Sequence, residues 1–179
     1  MTVRKRPCKT YELWPYRTDL NGGKTNNGGI DLRKDPHRID EIHELNSMPL
    51  LKKEILLLNT EDTNFMTLGC WLDKSPDYDD VLDAYIEFCF RPEVDTSNVD
   101  LLNLDTCFYD YVEGRVDKEA RETIESRLDW VYHHTKIYNA EPSVMVFHVI
   151  VEAYTPEFVE SFFVPIVSWL RKYYKLPSP

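Results

Sequence analysis

The sequence predicts an α+β fold. We expect a single domain with an antiparallel or mixed sheet of about four to five strands, packed by two long helices from the C-terminal half and one short helix. Apolar runs typical of strands stand beside segments whose apolar residues follow helical spacing. The 179 residues suit one domain, and 42% hydrophobic with 29% charged residues is an ordinary globular composition.

The first 34 residues predict a flexible basic arm, followed by a single domain over residues 35–179. The segments Asn21–Gly23 and Asn26–Gly29 are rich in turn-forming residues that admit positive φ. Trp14 and Tyr16 are the side chains best suited to attach this arm to the domain.

A short helix is predicted next. Asp35 is a good N-cap, Pro36 suits the first helical position, and Met48 and Pro49 end the helix. Its apolar residues repeat at a spacing of three: Ile39, Ile42 and Leu45.

Four strands are predicted in the middle of the chain. Glu54–Asn59 and Phe65–Leu72 are apolar runs separated by turn-forming residues, which favours a hairpin. Residues 81–91 alternate between apolar and polar side chains, as a half-buried strand does. Leu101–Val112 is interpreted as another strand.

The last third predicts a helix, a strand and a helix. Asp117 caps a helix that extends to about Tyr138. Val144–Ala153 is apolar on both faces and therefore predicts a central strand. A final helix runs over Thr155–Tyr174, and Pro165 inside it predicts a kink.

Charge is distributed unevenly along the chain. Residues 1–38 hold nine basic and four acidic side chains, whereas residues 73–129 hold six basic and seventeen acidic ones. Clustered charge of one sign steers partners of the opposite sign. Acidity that serves only solubility remains the alternative explanation.

The acidic segment also carries several of the eleven tyrosines, which anchor many interfaces. We expect a small protein-binding module, an inhibitor or immunity-type protein that blocks a basic protein such as a toxin or a nucleic-acid-binding enzyme. No cofactor, direct nucleic-acid contact or membrane contact is expected, and the oligomeric state stays open. The predicted binding surface comprises Asp77, Asp79, Asp80, Asp83, Glu87, Tyr109, Asp110, Tyr111 and Glu113.

Two other functions remain alternatives: a small hydrolase and a structural subunit of a larger assembly. For the hydrolase, the best candidate is His148, because functional sites often lie on central strands. Glu152 shares its face, but four residues along a strand span about 13 Å, too far for a hydrogen bond. The sequence therefore assigns His148 no partner and identifies no catalytic residue.

Two motifs fail closer inspection. Asn21–Thr25 resembles the end of a phosphate-binding loop, but Thr18 stands where the pattern requires its first glycine, and no apolar strand precedes it. His133 and His134 are adjacent on a predicted helix, so they point about 100° apart and cannot chelate one metal together.

A metal site on the short helix is equally unconvincing. His37, Glu41 and Glu44 align on one face, which permits a site, but a solvated polar face explains the same residues. No metal site is predicted.

The four cysteines form no CxxC pair, so we expect reduced thiols in the cytoplasm, with a secreted, disulfide-bonded protein as the alternative. The basic N-terminus is not followed by the apolar stretch of a signal peptide.

Overall fold

The computed structural model describes residues 4–5, 12–15, 29–138 and 140–176 of the chain. Within them, six strands form one mixed sheet that four α-helices accompany, which confirms the α+β class. The strands are β1 (Arg4–Lys5), β2 (Glu12–Trp14), β3 (Phe65–Lys74), β4 (Leu82–Phe90), β5 (Leu128–Ile137) and β6 (Val144–Ala153). The helices are α1 (Pro49–Thr60), α2 (Leu104–Val112), α3 (Lys118–Arg127) and α4 (Pro156–Lys172).

The strands lie in the order β1, β5, β6, β4, β3, and β2 also pairs with β5. β1 and β2 run parallel to β5, whereas the remaining pairs are antiparallel. β6 is flanked by strands on both sides. The prediction of a central strand over Val144–Ala153 is therefore confirmed.

Alternate side chains of the sheet enter the main hydrophobic core, which α1, α2 and α4 cover. Ile86 and Phe88 of β4 lie in this core, beside Phe147 and Val149 of β6. Phe88 and Phe147 stack with ring centroids 5.4 Å apart, so the two central strands are held together by side chains as well as by backbone hydrogen bonds.

The opposite face, which we call the inner face, is concave. Trp14 belongs to β2 at one edge of the sheet, yet its Nε1 donates a hydrogen bond to the carbonyl of Leu68 in β3 at the other edge, at 2.9 Å. Trp14 is fully buried there and packs with other inner-face side chains: Met66, Leu68, Cys89, Ile137 and Val146. One indole can join the two edges only if the sheet curls strongly.

The predicted strand at Glu54–Asn59 is wrong, because these residues belong to α1. Pro49 occupies the first turn, and the buried positions Leu51, Ile55 and Leu58 follow helical spacing. Taken alone, the apolar run 55–58 does not distinguish a strand from a buried helix.

The predicted strand at Leu101–Val112 is also wrong: a short 3-10 turn leads there into α2. Leu104, Phe108 and Val112 are buried four residues apart, as one face of a helix requires. The alternation of aromatic and acidic residues over 107–113 has the two-residue period of a strand, which explains the wrong prediction.

The predicted helix over Asp117–Tyr138 is correct only in its first half. The Asp117 side chain accepts a hydrogen bond from Ala120 N at 2.8 Å and caps α3, but the chain continues as β5. Leu128, Trp130 and Tyr132 alternate into the main core. The C-terminal half therefore contains one long helix, α4, and not two.

Two other helical predictions hold in outline. α4 starts where expected, since the hydroxyl of Thr155 accepts a hydrogen bond from Phe158 N at 3.2 Å. The short helix after Asp35 is two 3-10 helices, Pro36–Glu41 and His43–Ser47, which suits an apolar spacing of three.

The predicted arm falls largely outside the described residues, including both glycine-rich segments apart from Gly29, so its flexibility stays a prediction. Trp14 is attached to the domain as expected. Ile30 and Leu32, which the sequence assigned to the arm, are buried in the main core.

Arg91, directly after β4, fastens α1 to the sheet. Its Nε donates a hydrogen bond to Phe65 O at 2.9 Å. Its Nη2 lies 3.1 Å from Leu58 O, 3.3 Å from Asn59 O and 2.7 Å from Glu61 O. The carbonyls of Leu58, Asn59 and Glu61 lie at and beyond the last turn of α1, where the helix itself supplies no hydrogen-bond donors.

Replacing this guanidinium should destabilise the fold. We expect Arg91→Met to lower the free energy of unfolding by about 2–4 kcal/mol, because several buried carbonyls lose a charged donor together. Urea denaturation measures the change. Arg38→Met is the matched control, since Arg38 only pairs with Glu41 on the surface; an equal loss in both variants would contradict the role of Arg91.

Candidate metal centre

Three polar side chains meet on the inner face: Glu87 of β4, His133 of β5 and His148 of β6. Glu87 and His148 are directly opposite in the β4–β6 register. His133 is opposite Val146, two residues from His148, so it approaches from the neighbouring strand. The residues on either side of Glu87 and of His148 point to the main core, as does Tyr132 beside His133. Strand alternation therefore turns Glu87, His133 and His148 to the inner face.

The side chains are close enough to act together. His148 Nδ1 lies 2.7 Å from Glu87 Oε1, and His133 Nε2 lies 3.9 Å from the same oxygen. The two imidazole centroids are 6.2 Å apart. One ligand atom from each residue lies within 4.8 Å of the other two.

When Glu87 is ionised, its hydrogen bond to His148 determines the imidazole tautomer. An ionised carboxylate only accepts hydrogen bonds, so Nδ1 of His148 carries the hydrogen. In the neutral ring, Nε2 is then the atom with a free lone pair, as in the carboxylate–histidine pairs of many catalytic and metal sites.

The cluster is largely withdrawn from water. The side chains of Glu87 and His133 are 7% and 10% exposed, and that of His148 is 20% exposed. Burying a charged group costs free energy unless it is paired or coordinates a metal. Among the described residues, this is the one group whose His, Cys, Asp or Glu atoms converge to ligand distance.

The donor set suits a transition metal. Two imidazoles and one carboxylate bind Zn²⁺ or Fe²⁺ in many enzymes and leave a coordination position for water or substrate. Mg²⁺ and Ca²⁺ prefer oxygen donors, so two nitrogens argue against them.

The residues predicted to form one acidic surface are divided by the structure. Asp77, Asp79 and Asp80 are exposed in the turn between β3 and β4. Asp83 is partly buried, and Glu87 is buried beside His148. Glu87 therefore does not belong to an exposed surface.

The remaining members lie on α2. Asp110 and Glu113 are exposed, whereas Tyr111 is partly buried and contacts Tyr173 with ring centroids 5.0 Å apart. Tyr109 is buried, and its hydroxyl accepts a hydrogen bond from Trp130 Nε1 at 3.1 Å. The β3–β4 turn lies near the start of α4, because Leu82 after the turn pairs with Ala153 before the helix. α2 packs near the end of α4, where Phe108 contacts Trp169. The carboxylates of the turn and those of α2 are therefore separated by most of the length of α4.

The other histidines lie elsewhere. His134 is exposed on the opposite face from His133, because successive strand residues alternate. His37 lies on the first 3-10 helix, where Glu41 pairs with Arg38 at 2.8 Å. The structure therefore offers no metal cluster among the described residues of that short segment.

The sequence contained a signal for the cluster. In β4 and β6 the core-facing positions are all apolar, whereas Glu87 and His148 are polar residues on the alternate positions. Their contact depends on the β4–β6 register, which joins residues 61 positions apart. His133 was hidden because its segment was interpreted as a helix.

Compared with known proteins, the chain matches no family model, no curated protein and no solved structure. None of the helices among the described residues combines the length and apolar character needed to cross a membrane.

The hydrogen bond between Glu87 and His148 can be tested by a double-mutant cycle in the presence of a chelator. We expect Glu87→Leu and His148→Leu to be coupled by about 1–3 kcal/mol in urea unfolding, because either variant leaves the other polar group buried without this partner. The same cycle between Glu87 and the outward-facing His134 is the control. Equal coupling in both cycles would show that the contact contributes nothing specific.

Proposed function

We propose that this protein binds a divalent transition-metal ion through Glu87, His133 and His148. The observation that carries the proposal is the convergence of one oxygen and two nitrogen ligand atoms to within 4.8 Å of one another. Zn²⁺ is the simplest candidate, because it accepts this donor set and imposes little geometric preference.

Metal binding requires only small movements of the three side chains. With metal–ligand distances of about 2.0–2.2 Å, tetrahedral ligands lie roughly 3.4 Å apart. The separations of 2.7 and 3.9 Å from Glu87 Oε1 fall on either side of that value. If His148 coordinates through Nδ1, its hydrogen must leave or move to Nε2, so binding competes with protons.

Such a centre favours a hydrolytic enzyme, in line with the sequence-based alternative of a hydrolase near His148. Three protein ligands leave a fourth position for water. A bound divalent metal lowers the pKa of that water, so that it can act as a nucleophile near neutral pH.

A purely structural role is the competing explanation, in which the same side chains only satisfy one another by hydrogen bonds. Titration of the tag-free chain with Zn²⁺ by calorimetry, and with Co²⁺ by visible absorption, separates the two explanations. We expect one ion per chain and a rise in the melting temperature with metal concentration, because the ion binds the folded state preferentially.

Substitutions locate the ion. His133→Gln and His148→Gln should each weaken Zn²⁺ binding by at least roughly 10–100-fold, the range seen when even indirect partners of metal ligands are lost. His134→Gln is the matched control and should bind as the unaltered chain does. Absence of binding, or equal affinity in all three variants, would leave only the structural explanation.

A second function is favoured by the turn between β3 and β4. Tyr78 of this turn is 62% exposed. Its neighbours in the sequence include three exposed carboxylates: Asp77, Asp79 and Asp80. We propose that this turn contacts a basic protein partner, as an inhibitor or immunity-type protein does. The carboxylates would steer a basic partner toward the turn, and the exposed Tyr78 side chain would supply a contact that becomes buried in the complex.

This binding function can be tested once a partner is captured. Replacing Asp77, Asp79 and Asp80 with Asn should slow association and reduce its salt dependence, because steering by exposed charge is screened by salt. Neutralising three other exposed carboxylates, Asp62, Glu119 and Glu122, is the control for net charge. An acidic partner, or equal slowing by both sets, would contradict a specific role of the turn.

A further inference from the structure

Among the described residues, the inner face is closed at one end and open at the other. Beyond the metal centre on the closed side, Trp14 packs over Met66, Cys89 and Val146. Exposure increases in the opposite direction, from the buried Glu87 to the partly exposed Tyr85. A molecule from solvent therefore reaches the metal position from the open side.

Aromatic rings line that open side. Tyr85 lies 4.4 Å from the ring of His148, and Trp71 lies 6.0 Å from Tyr85 on its other side, both measured between ring centroids. Trp71 and Tyr85 are directly opposite in the β3–β4 register, and both are partly exposed. His148, Tyr85 and Trp71 thus form a continuous row of ring contacts that begins at the metal centre.

Three carboxylates lie on the same face, one step farther from the metal centre than the rings of Trp71 and Tyr85. Asp73, Asp83 and Glu152 are directly opposite one another on β3, β4 and β6. Like charges in such positions destabilise a sheet. Asp83 Oδ1 is buried, and it has no hydrogen-bond partner among the described residues.

From this arrangement we infer that the open position of the metal takes an arylalkyl amine: a molecule with a metal-binding group at one end, an aromatic ring, and a positively charged alkylammonium group at the other end. The inference rests on the proposed metal binding and names the class of ligand that this site accepts. Asp83 and Glu87 are four residues apart on β4, so their Cα atoms are separated by about 13 Å. A ligand with its metal-binding group beside Glu87 and its cation beside Asp83 fits within that distance.

Each part of the ligand has a matching group in the protein. The ring contacts Tyr85 and Trp71, and aromatic contacts favour binding beyond the area that they bury. The cation approaches Asp73, Asp83 and Glu152, whose mutual repulsion it relieves. An anionic ligand of the same shape is repelled by the same three carboxylates.

The test uses hydroxamic acids, which chelate metal ions, and the Co²⁺-loaded chain, whose visible spectrum changes when the open position is occupied. Benzohydroxamic acid should bind at least about tenfold more tightly than acetohydroxamic acid, which lacks the ring; this ratio corresponds to about 1.4 kcal/mol. Among para-substituted benzohydroxamic acids, the aminomethyl compound should bind more tightly than the unsubstituted one, and the carboxy compound more weakly.

Two sets of variants assign these preferences. Tyr85→Leu should reduce the ratio between the affinities for benzohydroxamic and acetohydroxamic acid, because only the first probe has a ring to contact. Asp83→Asn with Glu152→Gln should remove the preference for the cation. Asp110→Asn with Glu119→Gln, two exposed positions on α2 and α3, is the control for net charge. The comparison of probes on the unaltered chain needs no variant to fold.

The outcomes separate the two proposals. If Co²⁺ binds but all the hydroxamic acids bind equally, or the carboxy compound binds best, the inference about the ligand is overturned and metal binding stands. If Co²⁺ does not bind to the chain at all, both proposals are overturned together.

Discussion

The hydrogen bond from Trp14 Nε1 to Leu68 O is the constraint on which the inner face depends. Without a link between its edges, a twisted sheet of this size remains open to water on the face that none of the described helices covers. The indole brings β2 within reach of β3 and covers Met66 and Val146. The resulting enclosure withdraws Glu87 from solvent, so its charge must be balanced by the groups around it.

The sequence predicts this fold well where one pattern dominates. The alternation in β4 and the two-sided apolar run of β6 were correctly interpreted, and so was the Thr155 cap of α4. Errors arose where two periods coexist: the stripe from Ala120 to Thr135 fits a helix, while Leu128, Trp130 and Tyr132 fit a strand. Tertiary pairing with β6 decides between them, and pairing is not visible in a local pattern.

The candidate site was only partly predictable for a related reason. His148 was identified because a central strand is a common place for functional groups, but its partner lies on another strand. The pairing of Glu87 with His148 requires the register, and the position of His133 requires β5 to be a strand. The acidity of residues 73–129 was visible at once, but composition does not distinguish the buried Glu87 from the exposed Asp79.

The parallel pairing of β2 with β5 also bears on how the chain folds. It joins Glu12 to Thr135, so β3, β4 and the helices α1 to α3 all lie between the partners in the sequence. The β3–β4 pair needs only a short loop and can form early, whereas closure of such a distant contact carries a large entropy cost and slows folding. Until residues 128–137 have been synthesised, Trp14 lacks its strand partner, and Met66 and Leu68 stay uncovered. A nascent chain therefore exposes an apolar surface that aggregation or a chaperone can capture before the inner face closes.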